Sequence, residues 1–128
     1  MTNSKKTPSE QPTGSVFLDD ILSVIQTDDA ATLKNVLVTY PDLVAERDGN
    51  GRTALHHAAE NGAVGCLDAL LSAAADPNAL DVSSETPLHR ALTRGRVEAT
   101  HILLGSGANP NAASVHGITP VLLAAAAS

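Results

Sequence analysis

A step of 33 residues runs through this 128-residue chain and limits its possible folds more than any other feature. Gly51-Arg52-Thr53-Ala54-Leu55-His56-His57-Ala58-Ala59 recurs as Ser84-Glu85-Thr86-Pro87-Leu88-His89-Arg90-Ala91-Leu92. It recurs again as Gly117-Ile118-Thr119-Pro120-Val121-Leu122-Leu123-Ala124-Ala125. Gly62 and Gly95, Leu70-Leu71 and Leu103-Leu104, Asp48 and Asp81, and Asn78 and Asn111 keep the same spacing. A register held at this many points is the mark of a repeat architecture, in which each unit buries its apolar face against its neighbours.

Each copy reads as a pair of helices. Thr53, Thr86 and Thr119 take the N-cap position, where a hydroxyl accepts from an N–H of the first turn. Pro87 and Pro120 follow at the first helical position, where a missing N–H costs nothing. Inner helices are expected over about 54–61, 87–94 and 120–127. Gly62 and Gly95 close the first two, since glycine tolerates a left-handed conformation. Outer helices are expected over about 64–73 and 97–105. Val64, Leu67, Leu70 and Leu71 in one, and Val97, Ile102, Leu103 and Leu104 in the other, recur at helical spacing and are expected to face the inner helices. Ala58, Ala59 and Ala91 allow close helix approach. Asp76-Pro77-Asn78 and Asn109-Pro110-Asn111 are turns leading into extended segments that form projecting hairpins. Composition agrees: 43% of residues are hydrophobic, yet the chain has one Phe (Phe17), one Tyr (Tyr40) and no Trp. A core of Leu, Val, Ile and Ala favours helices and argues against a β-sandwich or barrel.

Thr86-Pro87-Leu88-His89-x-Ala91 and Gly107-Ala108-Asn109-Pro110-Asn111 resemble the ankyrin repeat family, with Ala54 in place of proline in the first copy and Leu122 in place of histidine in the third. The resemblance covers roughly residues 17–128 and implies an all-α solenoid of stacked helix-turn-helix units with projecting hairpin loops. Ahead of it, residues 1–14 are almost devoid of apolar side chains and are expected to be a disordered tail. The repeat domain is expected over 15–128. It divides into a capping helix pair (15–47), two repeats (48–80 and 81–113) and a partial repeat (114–128). Within the first part, Phe17 to Gln26 and Ala30 to Thr39 have helical character without the Thr-Pro-Leu-His signature. A shift of 34 aligns Ile21 with Leu55, Asp28 with Gly62 and Val36-Leu37 with Leu70-Leu71. The excess residue falls in a longer connection at Tyr40 to Val44. Asp19, Asp20, Asp28 and Asp29 read as the charged outer side of a cap that meets water.

Charge and composition remove several functions. A net charge of −6 with almost no aromatics leaves neither a basic face for phosphates nor platforms for base stacking, so no nucleic-acid partner is expected. The apolar runs fall well short of the ~20 residues that span a bilayer, so no membrane partner is expected. Cys66 stands alone and can form neither an internal disulfide nor a zinc site by itself. Together with the lack of an apolar run after the N-terminal lysines, this gives the expectation of a reduced, cytoplasmic setting. His56 and Glu60 stand four apart on a helix, but no third ligand is spaced to complete a metal site. The resemblance implies that His56 and His89 hydrogen-bond within and between repeats. His101 reads as a solvated outer-helix residue, and Cys66, aligned with Ala99, as a buried small hydrophobe. Gly105-Ser106-Gly107 follows a helix instead of a strand and fails the context of a phosphate loop. No catalytic group, metal or cofactor is expected, and the chain is not read as an enzyme.

What remains is surface. The resemblance implies a protein-protein interaction module, a scaffold or adaptor, that grips another protein with hairpin tips and the concave inner-helix face. Position by position this gives Gly49, Asn50, Arg52, His57, Glu60 and Asn61 in the first repeat. The second contributes Val82, Ser83, Glu85, Arg90, Thr93 and Arg94, and the third Val115, His116 and Ile118. Arg52, Arg90 and Arg94, with Arg96 nearby, form a basic island suited to carboxylates, which Arg meets in a two-pronged geometry. The alternative is the recognition region of a longer enzyme or effector whose catalytic domain lies outside this chain. Val121, Leu122 and Leu123 are consecutive on a short helix and cannot all face the preceding repeat. Further repeats, a partner or a self-contact at the C-terminal end is therefore expected.

Overall fold

A computed structural model describes residues 14–127, in which helices stack in two layers. The inner layer holds α1 (Gly14–Gln26), α3 (Ala54–Asn61), α5 (Pro87–Thr93) and α7 (Pro120–Ala127). The outer layer holds α2 (Ala30–Thr39), α4 (Val64–Ser72) and α6 (Val97–Gly105). A 3-10 turn, Pro41–Ala45, fills the longer connection after α2. No strand occurs among the described residues, so the projecting segments are turns and not paired strands. Inner helices pack on their inner neighbours, outer on outer, and each outer helix on its own inner partner. The expected tail lies outside the described residues except for Gly14, which is already helical. The first helix thus begins three residues before Phe17.

The core runs between the layers. Leu18, Ile25, Leu33, Leu55, Leu67, Leu70, Leu88 and Leu103 are fully buried, and each such side chain contributes about 1.5–3 kcal/mol relative to exposure. Ala58, Ala59 and Ala91 are fully buried where the inner helices meet. Two expected core positions are open instead. Val97 and Leu104 are exposed on α6, which packs against α5 and α4. Periodicity gave their helix correctly but not which of its flanks a neighbour covers.

The repeated threonines cap as expected. Thr53 Oγ1 accepts from the His56 N–H at 3.4 Å, Thr86 from His89 at 3.3 Å and Thr119 from Leu122 at 3.2 Å. Gly62 adopts φ +66 as the cap of α3, whereas α5 ends at Thr93 and its left-handed Gly95 follows the Arg94 cap. At the matching place in the first unit stands Asp28, itself left-handed at φ +55. Its carboxylate does not simply face water: it accepts from the Cys66 N–H at 2.9 Å and the Gly65 N–H at 3.3 Å. The first turn of α4 has no cap from its own Ala63, so the preceding unit supplies one. Asp29 likewise caps α2 through Thr32. Two of the acidic residues read as a wet outer side are helix caps.

Candidate protein-binding surface

His56 and His89 form the joints between units. The Thr53 N–H points at His56 Nδ1 at 3.1 Å, and an N–H can only donate. Nδ1 is therefore the acceptor, and the proton sits on Nε2, which donates to the Glu85 carbonyl of the next unit at 2.8 Å. His89 repeats the arrangement, with Thr86 N at 3.0 Å from Nδ1 and the Ile118 carbonyl 2.8 Å from Nε2. Burial pushes the His56 imidazole down to about 4, against the upward pull of the Glu85 carbonyl and the Asp81 carboxylate. Both ring nitrogens are committed within the fold, which leaves no lone pair for a metal.

The hairpins are held as regularly. Asp48 Oδ1 accepts from the Asn50 and Arg52 N–H groups at 2.8 and 3.0 Å. Asp81 Oδ1 does the same for Ser83 and Glu85 at 2.8 and 2.9 Å, and Ser114 Oγ for His116 and Ile118 at 3.3 and 3.2 Å. Neighbouring tips are tied by Val82 N–H to Asn50 O at 3.0 Å and Val115 N–H to Ser83 O at 2.9 Å. Asp48 also meets His57 Nε2 at 2.8 Å. Burial raises the Asp48 pKa, but the bonds from His57 and from the Arg52 and Asn50 N–H groups outweigh it and hold the carboxyl below its ordinary range.

The arginines expected as a basic island surround a carboxylate. Glu60 Oε2 lies 3.0 Å from Arg90 Nη2 and 2.8 Å from Arg94 Nη2, with Arg52 Nη1 3.8 Å from Oε1. Arg90 also pairs with Glu85 at 3.1 Å, and Arg52 with the buried Asp81 carboxylate at 3.2 Å. Burial raises the Glu60 pKa, but Arg90, Arg94 and Arg52 together hold it below its ordinary value. Arg52 and Arg90 therefore serve the platform. Arg94, 54% exposed at its side chain, and the exposed Arg96, whose Nε donates to the Glu60 carbonyl at 2.9 Å, remain at its rim.

A groove of about 310 Å³ opens over this platform, between Leu22 and Gln26 of α1, His57, Glu60 and Asn61 of α3, and Arg94 and Arg96. The structure thus brings His57, Glu60, Asn61 and Arg94 together. It places Asn50, Val82, Val115, His116 and Ile118 exposed along the hairpins, and Ser83 and Glu85 half-buried there. Thr93 is exposed on α5, with its hydroxyl donating to the His89 carbonyl at 2.8 Å. Leu22 and Gln26 were missed by sequence reasoning. The 34-residue shift that aligns Ile21 with Leu55 also aligns them with His56 and Glu60, so the signal was there. Cys66 lies buried against Val24, and burial, with Asp28 adding to it, pushes its thiol up to about 12, far from a nucleophile.

Compared with known families, residues 23–114 match ankyrin repeats in three copies. The chain belongs to the ankyrin repeat family. No curated protein matches it significantly over its length. Ankyrin repeats are generally protein-interaction modules and typically non-catalytic. Among the described residues, no helix of this ankyrin stack is long and apolar enough to cross a membrane.

Proposed function

We propose that this ankyrin chain is a scaffold or adaptor that binds a partner protein through its hairpin tips and concave inner-helix face, without catalysis of its own. The observation that carries the reading is the groove over the Glu60 platform. Its floor is fixed by ion pairs spanning two units, while Asn61, Arg94 and Arg96 stand exposed at its edge. Fixed, half-buried charges flanked by exposed side chains suit recognition, because little conformational freedom is lost on docking. The tips add the exposed apolar side chains Val82 and Val115 in register. A partner with acidic and apolar side chains fits this surface best. The proposal takes the unit boundaries to fall at 47/48, 80/81 and 113/114, supported by the hairpin turns that recur at Asp48, Asp81 and Ser114. It sets the chain in the cytoplasm, a reading supported by a single cysteine kept as a buried thiol.

The test compares proteins retained by the immobilised wild type, by a triple variant (Val82→Asp, Val115→Asp, Arg94→Glu) and by a convex-side control, Val38→Asp. All three changed positions in the triple variant are exposed, so helical circular dichroism should be unchanged. A partner kept by the wild type and the control but lost by the triple variant is the expected result. Equal retention by the triple variant would refute this surface.

A further inference from the structure

Arg94 and Arg96 reach the groove over Glu60 from the short connection between α5 and α6, and neither spends its whole guanidinium there. Arg94 gives Nη2 to Glu60 Oε2 at 2.8 Å, and Arg96 gives Nε to the Glu60 carbonyl at 2.9 Å. Neither side chain has a further hydrogen bond or ion pair among the described residues. Nε and Nη1 of Arg94 and both terminal nitrogens of Arg96 therefore keep their N–H groups for a ligand. The Arg96 stem is also held in place. It lies over Gly62, where an added Cβ would stand 2.9 Å from its Cδ. The glycine that caps α3 thus opens the path by which Arg96 reaches the groove. Two exposed guanidinium groups anchored on one glutamate make a clamp for an oxyanion, which arginine meets with paired N–H donors.

Charge and size decide which oxyanion. Arg52, Arg90, Arg94 and Arg96 stand against the carboxylates of Glu60, Glu85 and Asp81, four positive charges to three negative. The nearby Asp48 carboxylate is engaged by His57 Nε2 and by the Asn50 and Arg52 N–H groups. One monoanion completes the count. A phosphate monoester carries about −1.5 to −2 charge, and the excess would confront Glu60 on a chain whose net charge is already −6. At about 310 Å³ the groove has room for a side chain and not for a folded element, and the half-buried Leu22 gives it an apolar wall. We propose that Arg94 and Arg96 clamp the carboxylate of a single glutamate presented by the partner, with Leu22 against its methylenes. This inference rests on the partner-binding reading above and names the group that the groove receives.

The test uses short blocked peptides and nuclear magnetic resonance of the 128-residue chain, following the Nε–Hε signals of Arg94 and Arg96. Acetyl-Leu-Glu-Leu-amide should shift both signals saturably. Its glutamine counterpart should bind at least about tenfold more weakly, and its phosphoserine counterpart no more tightly than the glutamate peptide. Acetyl-Leu-Leu with a free carboxyl end distinguishes a chain terminus from a side chain and should bind more weakly than the glutamate peptide. Arg96→Gln should bring the glutamate peptide down to the affinity of the glutamine one. Lys34→Gln removes one positive charge from the exposed face of α2 and should change nothing. Equal binding of the glutamate and glutamine peptides, or no binding of either, would overturn the proposal in the wild type alone, whatever the variants do. Tighter binding of the phosphoserine or free-carboxyl peptide, or an Arg96→Gln variant that behaves like Lys34→Gln, would also overturn it. The broader reading fails separately. A partner lost by the triple variant but fully retained by immobilised Arg96→Gln would keep the concave surface and refute the clamp.

Discussion

Replacing His56 with leucine, the residue this chain itself carries at the third copy, should remove a joint between units without leaving a large void. In the wild type, Nδ1 satisfies the Thr53 N–H and Nε2 satisfies the Glu85 carbonyl. Leucine satisfies neither. An unsatisfied buried group costs about 1–3 kcal/mol, so two of them cost about 2–6 kcal/mol. A domain of this size is worth about 5–15 kcal/mol in total, which makes the loss easy to measure. The pH dependence sharpens the test. Folding depresses the His56 pKa from 6.5 to about 4, so folding favours the neutral ring. That contribution is fully present above about pH 6.5 and is lost as pH falls toward 4. At about 1.4 kcal/mol per pH unit, the interval amounts to roughly 3 kcal/mol. Geometry gives the same sign, because a proton added at Nδ1 would confront the Thr53 N–H. Glu60, Asp48 and Asp81 also have lowered pKa values. They hold their contributions above the ordinary carboxylate range and lose them only as pH falls below it. Urea unfolding followed by circular dichroism at pH 7, 5.5 and 4 should show a wide gap between the wild type and the His56→Leu variant at neutrality that nearly closes at pH 4. A gap that stays constant with pH would show that the His56 ring is not held neutral by the fold.

Asp28→Ala removes the cap that the first unit supplies to α4 and should cost about 1 kcal/mol, with amide exchange of Gly65 and Cys66 quickening before that of α3. Gly62→Ala places a Cβ at φ +66 and 2.9 Å from the Arg96 Cδ. The left-handed backbone alone costs about 1–2 kcal/mol, so its thermal midpoint should fall, whereas Gly95→Ala, with open space around its Cβ, should be limited to the backbone cost.

The fold was legible because its determinants are local and periodic. Thr53, Thr86 and Gly62 announce helix ends within a few residues of themselves, and the 33-residue step carries each assignment to the next copy. The resemblance carried the roles of His56 and His89. The binding platform was legible only as a set of positions. Arg90 and Arg94 look like free cations along the chain, and only the stacking of α5 on α3 brings both to Glu60, 30 and 34 residues earlier. Asp28 shows the same limit, since its partner Cys66 lies 38 residues away in another unit. Val97 and Leu104 failed for the complementary reason: helical period identifies an apolar flank but not the presence of a neighbour to cover it.

Two of the joints between units differ in heritability. The Glu60–Arg90 pair needs a matched side chain on each side, so changing either unit alone destroys it. The His56 joint asks of the next unit only a peptide carbonyl at the right place, which every amino acid has. A 33-residue block copied into the array would therefore arrive already able to join its neighbours, whatever its surface residues. Copy number could grow by simple duplication, while the side chains that face a partner diverged afterwards without undoing the joint.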